Sequence, residues 1–305
     1  MGFSIKLKKG LFKSKLKFES RISNFNSLEL AIDLLNKKSR DNQDYMDNRE
    51  IIYVSPSMLS CDCDRVIQYR LLNAVPKPMS MARVIRICEA GEDLHKRHQR
   101  YFRDLNAIWG GWVCQACEAT WIGRVGLCPE CKSLPYKHNY KEVTLFDDEM
   151  QLKGKPDGVI FFRNGKKAVI DFKGIQIKDF WTLKDEYTKY QYYIQLSIYG
   201  ALLDVPYGCL LYEDRDGSRL KPFFFPIDVN ILKEQRRRVK IIRNMIKRKI
   251  LLPRPEEADK KSCEYCKWCD YSEFCWGVLK GQRKCEPLTF RQVDRRNRKM
   301  VQNCL

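Results

Sequence analysis

Lys153–Gly174 reads KGKPDGVIFFRNGKKAVIDFKG, and it sets two aspartates, Asp157 and Asp171, and Lys173 among apolar and basic residues. Alternation along a strand puts Asp171 and Lys173 on one face with Val169, and Ile170 and Phe172 on the other. Gly154 and Pro156 favour a bend before Asp157, and Asn164-Gly165 is a hairpin signal that folds the Asp157 strand back beside the Asp171 strand. The two carboxylates then meet at one end of a sheet. Neighbouring carboxylates repel unless a cation lies between them, and magnesium or manganese takes oxygen ligands of this kind. A cation so held polarises a phosphoryl oxygen and activates water, while a nearby lysine orients that water or stabilises the developing charge. The chemistry expected is phosphodiester hydrolysis.

The composition agrees. The chain has 305 residues, 44% of them hydrophobic, enough for one substantial core and a small satellite module. Lys and Arg number 57 against 38 acids, a net charge of +19. Such a surplus points to nucleic acid as partner, with a merely solvated surface as the ordinary alternative. There is no run of 18 apolar residues, and the start, rich in lysine (Lys6, Lys8, Lys9, Lys13), lacks the apolar segment of a signal peptide. A soluble, cytoplasmic protein with no membrane partner is expected. Fourteen cysteines are present, and eight fall in two local clusters with metal-ligand spacing, which fits a reducing compartment.

Residues 1–50 read as a basic arm (Met1–Arg21) and a helix (Ser27–Lys37), 51–280 as the main domain, 111–134 as an insertion, and 281–305 as a basic tail. Within the main domain, a short strand near Ile51 leads through a Ser-Pro-Ser turn into a helix, and a further helix runs from about Met81 to Phe102. Segments at Val143–Phe146, Met150–Lys153, Gly158–Phe162 and Ala168–Lys173 suggest a meander of antiparallel strands. A helix over Thr188–Leu203, strands at Cys209–Tyr212 and Pro222–Ile227, and an amphipathic helix from Asn230 follow.

GKPD followed by DFK resembles the PD-(D/E)XK nuclease signature. GEDLH (Gly91–His95) upstream and QLSIY (Gln195–Tyr199) downstream resemble motifs of its RecB-like branch, in the same order. The resemblance implies an α/β fold with a restriction-endonuclease-like core, a mixed central sheet flanked by helices. It implies that His95, Asp157, Asp171 and the carbonyl of Phe172 bind Mg2+ or Mn2+, that Lys173 is the catalytic lysine, and that Gln195 and Tyr199 position the strand or the lysine. Taken singly, a helical histidine or a Gln/Tyr pair is ordinary packing; their order with the acids and the lysine is what joins them.

CEYCKWCDYSEFC supplies Cys263, Cys266, Cys269 and Cys275. In RecB-like nucleases that carry a 4Fe-4S cluster, such as the exonucleases of CRISPR adaptation and the AddB-like group, the last three of such cysteines join one from upstream. Cys63, in CDR, resembles that upstream ligand, although Asp64 replaces the usual proline and Cys61 remains a candidate. The rival is a second zinc held locally by Cys263, Cys266, Cys269 and Cys275. Cys114 with Cys117, and Cys128 with Cys131, form two CxxC knuckles that predict a structural zinc ribbon. The ribbon either grips DNA, through Trp112, Trp121 and Arg124, or staples a loop too small for its own core.

KEQRRRVKIIRNMIKRK reads as a helix that either follows a phosphate backbone or presents a solvated face. The function expected is a Mg/Mn-dependent DNA exonuclease acting on single-stranded or free ends, with helicase, recombination or replication proteins as partners by the resemblance. A non-cleaving nucleic-acid binding or recruitment factor on the same fold, or a zinc-dependent assembly module, is the alternative.

Overall fold

The computed structural model describes residues 53–74, 82–183, 190–258 and 260–277. The expected arm, the Ser27–Lys37 helix and the tail at 281–305 lie outside the described residues. The chain divides into two units, Met1–Arg49 with Met79–Ala90, and Glu50–Pro78 with Gly91–Leu305. In the first, the described residues are the opening turns of one long helix; the second carries everything below.

Ser55 opens α1 (Pro56–Leu59), its hydroxyl accepting the Met58 N–H at 3.1 Å with Pro56 in the first turn. Helices α2 (Asp64–Leu71) and α3 (Ala82–Asp104) precede β1 (Ile108–Cys114), β2 (Thr120–Arg124), β3 (His138–Lys141), β4 (Leu145–Asp147) and β5 (Leu152–Gly154). The hairpin β6 (Gly158–Phe161) and β7 (Lys167–Ile175) leads into α4 (Ile177–Thr182), α5 (Tyr190–Leu203), β8 (Tyr207–Asp214), β9 (Leu220–Pro226) and α6 (Val229–Lys247). The last elements are the single turns α7 (Glu264–Lys267) and α8 (Ser272–Cys275).

The central sheet runs β2-β1-β6-β7-β8-β9, with β3 also paired to β1. β6 and β7 are antiparallel, Gly158 opposite Ile170 and Phe161 opposite Lys167. The Asn164-Gly165 turn closes them as its residues predict, Gly165 at φ +80 and Asn164 Oδ1 accepting the Lys166 N–H at 3.1 Å. β7 then pairs with β8 in parallel, so α4 and α5 form the crossover between them and the sheet is mixed. A strand with parallel pairing in mid-sheet is covered on both faces. On one, Leu94 of α3 packs on Ile160, Ala168, Ile170 and Phe172; on the other, Leu196 and Tyr199 of α5 and Phe180 of α4 pack on Val159, Val169 and Leu210. The far side of α5 is buried against α1 and α6 through Met58, Leu59, Ile198, Ile231 and Val239. This is a mixed α/β architecture with a central sheet flanked by helices.

Three expectations change. The single meander does not form: β4 and β5 pair with each other as a separate two-stranded sheet. Asp147 Oδ1 accepts the Met150 N–H at 3.0 Å, so Met150 lies in a turn rather than a strand. The bend around Pro156 then carries the chain off to β6. The strand expected near Ile51 reduces, among the described residues, to one bridge from Val54 to Leu152. Finally, α6 does not offer its whole Arg/Lys face to a ligand. Arg236 is tied to Asp147 at 2.5 Å and Glu149 at 3.1 Å, and Arg238 to Asp64 and the carbonyls of Leu59 and Cys61. No helix among the described residues is long and apolar enough to cross a membrane.

Candidate active site and the two cysteine sets

β6 and β7 start from opposite ends, so the residue before β6 and the second half of β7 come to the same edge of the sheet. That is where Asp157 and Asp171 lie, both buried, at 7% and 4% exposure. Asp157 Oδ2 accepts the Phe172 N–H at 2.7 Å, and its Oδ1 faces His95 Nδ1 at 3.2 Å, delivered by α3. Asp171 Oδ2 lies 2.7 Å from Lys173 Nζ, and Asp171 Oδ1 accepts from Gln195 Nε2 of α5 at 3.4 Å. Tyr199, one turn on, donates to the Lys155 carbonyl at 3.0 Å and so holds the loop that presents Asp157. Phe172 thus gives its amide N–H to the Asp157 carboxylate.

The structure adds residues that the sequence reading missed. Glu142, just past β3, brings a carboxylate oxygen within 4.8 Å of both the His95 and Asp157 donor atoms. Gln99 Nε2 ties Glu142 (3.1 Å) to the Asp157 carbonyl (3.2 Å), which also accepts from Tyr140 OH at 2.9 Å. Tyr192 places its ring 4.9 Å from Lys173 Nζ. Behind Phe172, His98 stacks on its ring at 5.0 Å and donates to the buried Glu213 at 2.7 Å, while Arg97 pairs with the same carboxylate. An acid after a strand in a basic segment was the signal available for Glu142; the pairing of β1 with β6 that brings it close leaves no local trace.

Burial raises Asp171 to about 6 against the pull of Lys173. Burial would lower His95, but its hydrogen bond to Asp157 and that charge outweigh burial and raise it. Burial likewise opposes the charge on Lys173, and Asp171 overcomes it. Asp171 Oδ2 is fully buried and makes no aligned hydrogen bond, the lysine approaching as an ion pair. Two carboxylates and an imidazole within mutual reach, beside this buried oxygen, fit a hard divalent cation.

Cys114 Sγ lies 3.6 Å from Cys131 Sγ, and Cys117 Sγ 3.6 Å from Cys128 Sγ. Zn–S bonds of about 2.3 Å in a tetrahedron separate sulfurs by about 3.8 Å, so these four thiols fit one zinc. The residue after each knuckle's second cysteine, Glu118 or Lys132, has φ near +60 (62 and 60), the same turn made twice. Ser133 donates to Cys114 Sγ at 3.1 Å and helps pull that thiol down to about 6. The strands behind the knuckles belong to the central sheet, β1 pairing with β6 through Ile108 and Trp109.

Cys63, Cys266, Cys269 and Cys275 line one pocket with Arg65, Tyr69 and Arg254. Cys61 instead turns its thiol to the Cys63 carbonyl at 3.9 Å. Burial pushes Cys63 up to about 11 and Cys269 to about 12. Among the described residues, no three of these sulfurs lie within 4.8 Å of one another, unlike the ribbon's four.

Fold and site thus define an α/β protein with a His/Glu/Asp/Asp/Lys constellation at the edge of a mixed sheet. Among solved structures, the chain is similar to the crystal structure of SSO0001, with 16% identity and a TM-score of 0.44 over 84% of this chain and 100% of that one. It is also similar to an alkaline exonuclease, LHK-Exo from Laribacter hongkongensis, with 15% identity and a TM-score of 0.38 over 65% of this chain and 90% of that one. The same exonuclease in complex with dAMP aligns at 14% identity and a TM-score of 0.35, over 64% of this chain and 88% of that one. No family model matches the sequence, and no curated protein matches it.

Proposed function

We propose that the chain is a divalent-cation-dependent nuclease of the PD-(D/E)XK type that hydrolyses DNA phosphodiester bonds, working as an exonuclease on single-stranded or free ends. The observation that carries this reading is the meeting of His95 (α3), Glu142 (after β3), Asp157 (before β6) and the Asp171–Lys173 pair (β7) at one sheet edge. His95, Glu142, Asp157 and Asp171 would hold Mg2+ or Mn2+, which when bound supplies Lewis-acid chemistry to the scissile phosphate. Lys173, fixed between Asp171 and the Tyr192 ring, keeps its ammonium charge next to that phosphate and orients the attacking water. Gln195 holds the Asp171 carboxylate, and Tyr199 holds the Asp157 loop.

The ribbon cysteines would carry a structural zinc. For the second set, the one pocket lined by Cys63, Cys266, Cys269 and Cys275 supports a 4Fe-4S cluster on those four over a second zinc held locally with Cys263. Free thiols of this kind suit a reducing compartment such as the cytoplasm. Helicase, recombination or replication proteins are the partners this reading suggests.

End-labelled single-stranded and duplex DNA, incubated with manganese, tests the reading. Wild type is expected to shorten the label, and Asp171→Ala and Lys173→Ala to lose on the order of 100-fold or more in rate. Identical, metal-independent behaviour of all three proteins would leave a non-cleaving binding factor.

A further inference from the structure

Trp181 exposes 65% of its surface, on α4, which begins two residues past the strand that bears Lys173. The indole is exposed but not loose. Phe180, buried, packs edge-on to it at 5.6 Å and fastens the helix to the sheet. The β8–β9 hairpin then clamps both ends of α4, Asp216 of its turn accepting the Ile177 N–H through Oδ2 at 3.4 Å and Lys221 of β9 donating to the Leu183 carbonyl. From the same turn Arg219 lays its guanidinium 5.2 Å from the Trp181 ring centroid. Arg219 is itself held by the fully buried Asp214 at 2.5 Å. A cation that braces one ring face leaves the other free for a planar ligand.

Arg215 joins this turn to β7. Its N–H donates to the Ile175 carbonyl at 3.0 Å, while its side chain lies over Gly174 beside Leu94, on the face of the sheet opposite Lys173. The parallel register, Lys173 with Tyr212 and Ile175 with Asp214, puts the turn at the same end of the sheet as the lysine. The ring's surroundings choose its occupant. Arg219 at the ring and Lys178 and Asp179 on the same helix are exposed, a charged rim that suits a base with its phosphates better than the dry core of a protein interface.

We infer that Trp181 is a stacking platform for a nucleobase of a single strand that runs on to the Asp171–Lys173 site. The direction of the strand rests on the nuclease reading; the binding does not.

Binding of a labelled oligothymidylate to the full chain, without divalent cation so that nothing is cut, tests it. Trp181→Ala is expected to weaken binding on the order of 10- to 100-fold, Trp181→Phe by much less, both with an unchanged thermal midpoint. An oligomer with abasic positions should bind wild type about as weakly as the intact oligomer binds Trp181→Ala. The proposal is overturned if Trp181→Ala binds the intact strand like wild type, or if that substitution costs the abasic strand as much as the intact one. A wild type that stacks through Trp181 but leaves DNA uncut in manganese would sink the nuclease reading alone. A cutting enzyme indifferent to Trp181→Ala would sink this proposal alone.

Discussion

Glu213 is the residue whose removal should show how α3 is held in register with the sheet. Its carboxylate is 4% exposed, accepts from His98 at 2.7 Å and pairs with Arg97. Burial lowers the His98 pKa despite that carboxylate, so the ring is neutral and donates one N–H. His98 is 2% exposed, and Glu213→Ala leaves its donor buried without an acceptor. A lost hydrogen bond to a buried charge, with its partner stranded, costs about 3 kcal/mol. The half-exposed Arg97 returns to water and adds little. For a chain of this size the thermal midpoint should fall by about 5 °C. Glu213→Gln keeps an acceptor for His98 and should lose less than half as much. The same stack of His98 on Phe172 sets where His95 meets Asp157. Manganese affinity, read by calorimetry at a temperature where Glu213→Ala is folded, should therefore drop about 10- to 100-fold in that variant. Denaturation and manganese binding within error of wild type would refute the reasoning.

Two further outcomes follow from groups away from that clamp. Burial opposes ionisation of Asp214, but the N–H groups of Asp216 and Gly217 and the Arg219 guanidinium outweigh it, holding the carboxyl below its ordinary 3.8. A depressed pKa stabilises the fold above the unfolded value, and that contribution vanishes as pH falls through the folded one. The midpoint difference between wild type and Asp214→Asn should thus be constant near neutrality and shrink below about pH 4, whereas a gap unchanged down to about pH 2.5 would contradict the assignment. For the cysteines, elemental analysis with a visible spectrum of anaerobically purified protein should find iron, inorganic sulfide and one zinc per chain; two zincs without iron would rule out the cluster.

What could be read from the chain was local. Asn164-Gly165 between two alternating segments announced the β6–β7 hairpin, and period-two alternation correctly put Asp171 and Lys173 on one face. The CxxC pairs declared their own spacing. What escaped was decided by distant pairing. Glu142 reaches His95 and Asp157 because β3 and β6 pair end to end along the same edge of β1, opposite β2, an arrangement without periodicity to detect. Asp147 looked like an ordinary turn acid, yet its two oxygens close the Met150 turn and neutralise Arg236, which removed a strand and part of a basic face together. Counting arginines on α6 could not tell which ones the fold consumes.

The gathering of Cys63 with Cys266, Cys269 and Cys275 bridges residues about 200 positions apart in sequence. Closing so long a loop is entropically late work, so the thiols converge once α2 and the final turns have docked on a nearly finished fold. An inorganic group bound there would therefore be acquired at the end of maturation. Its loss would fray the two chain segments it links and leave the sheet edge with His95, Asp157 and Asp171 standing.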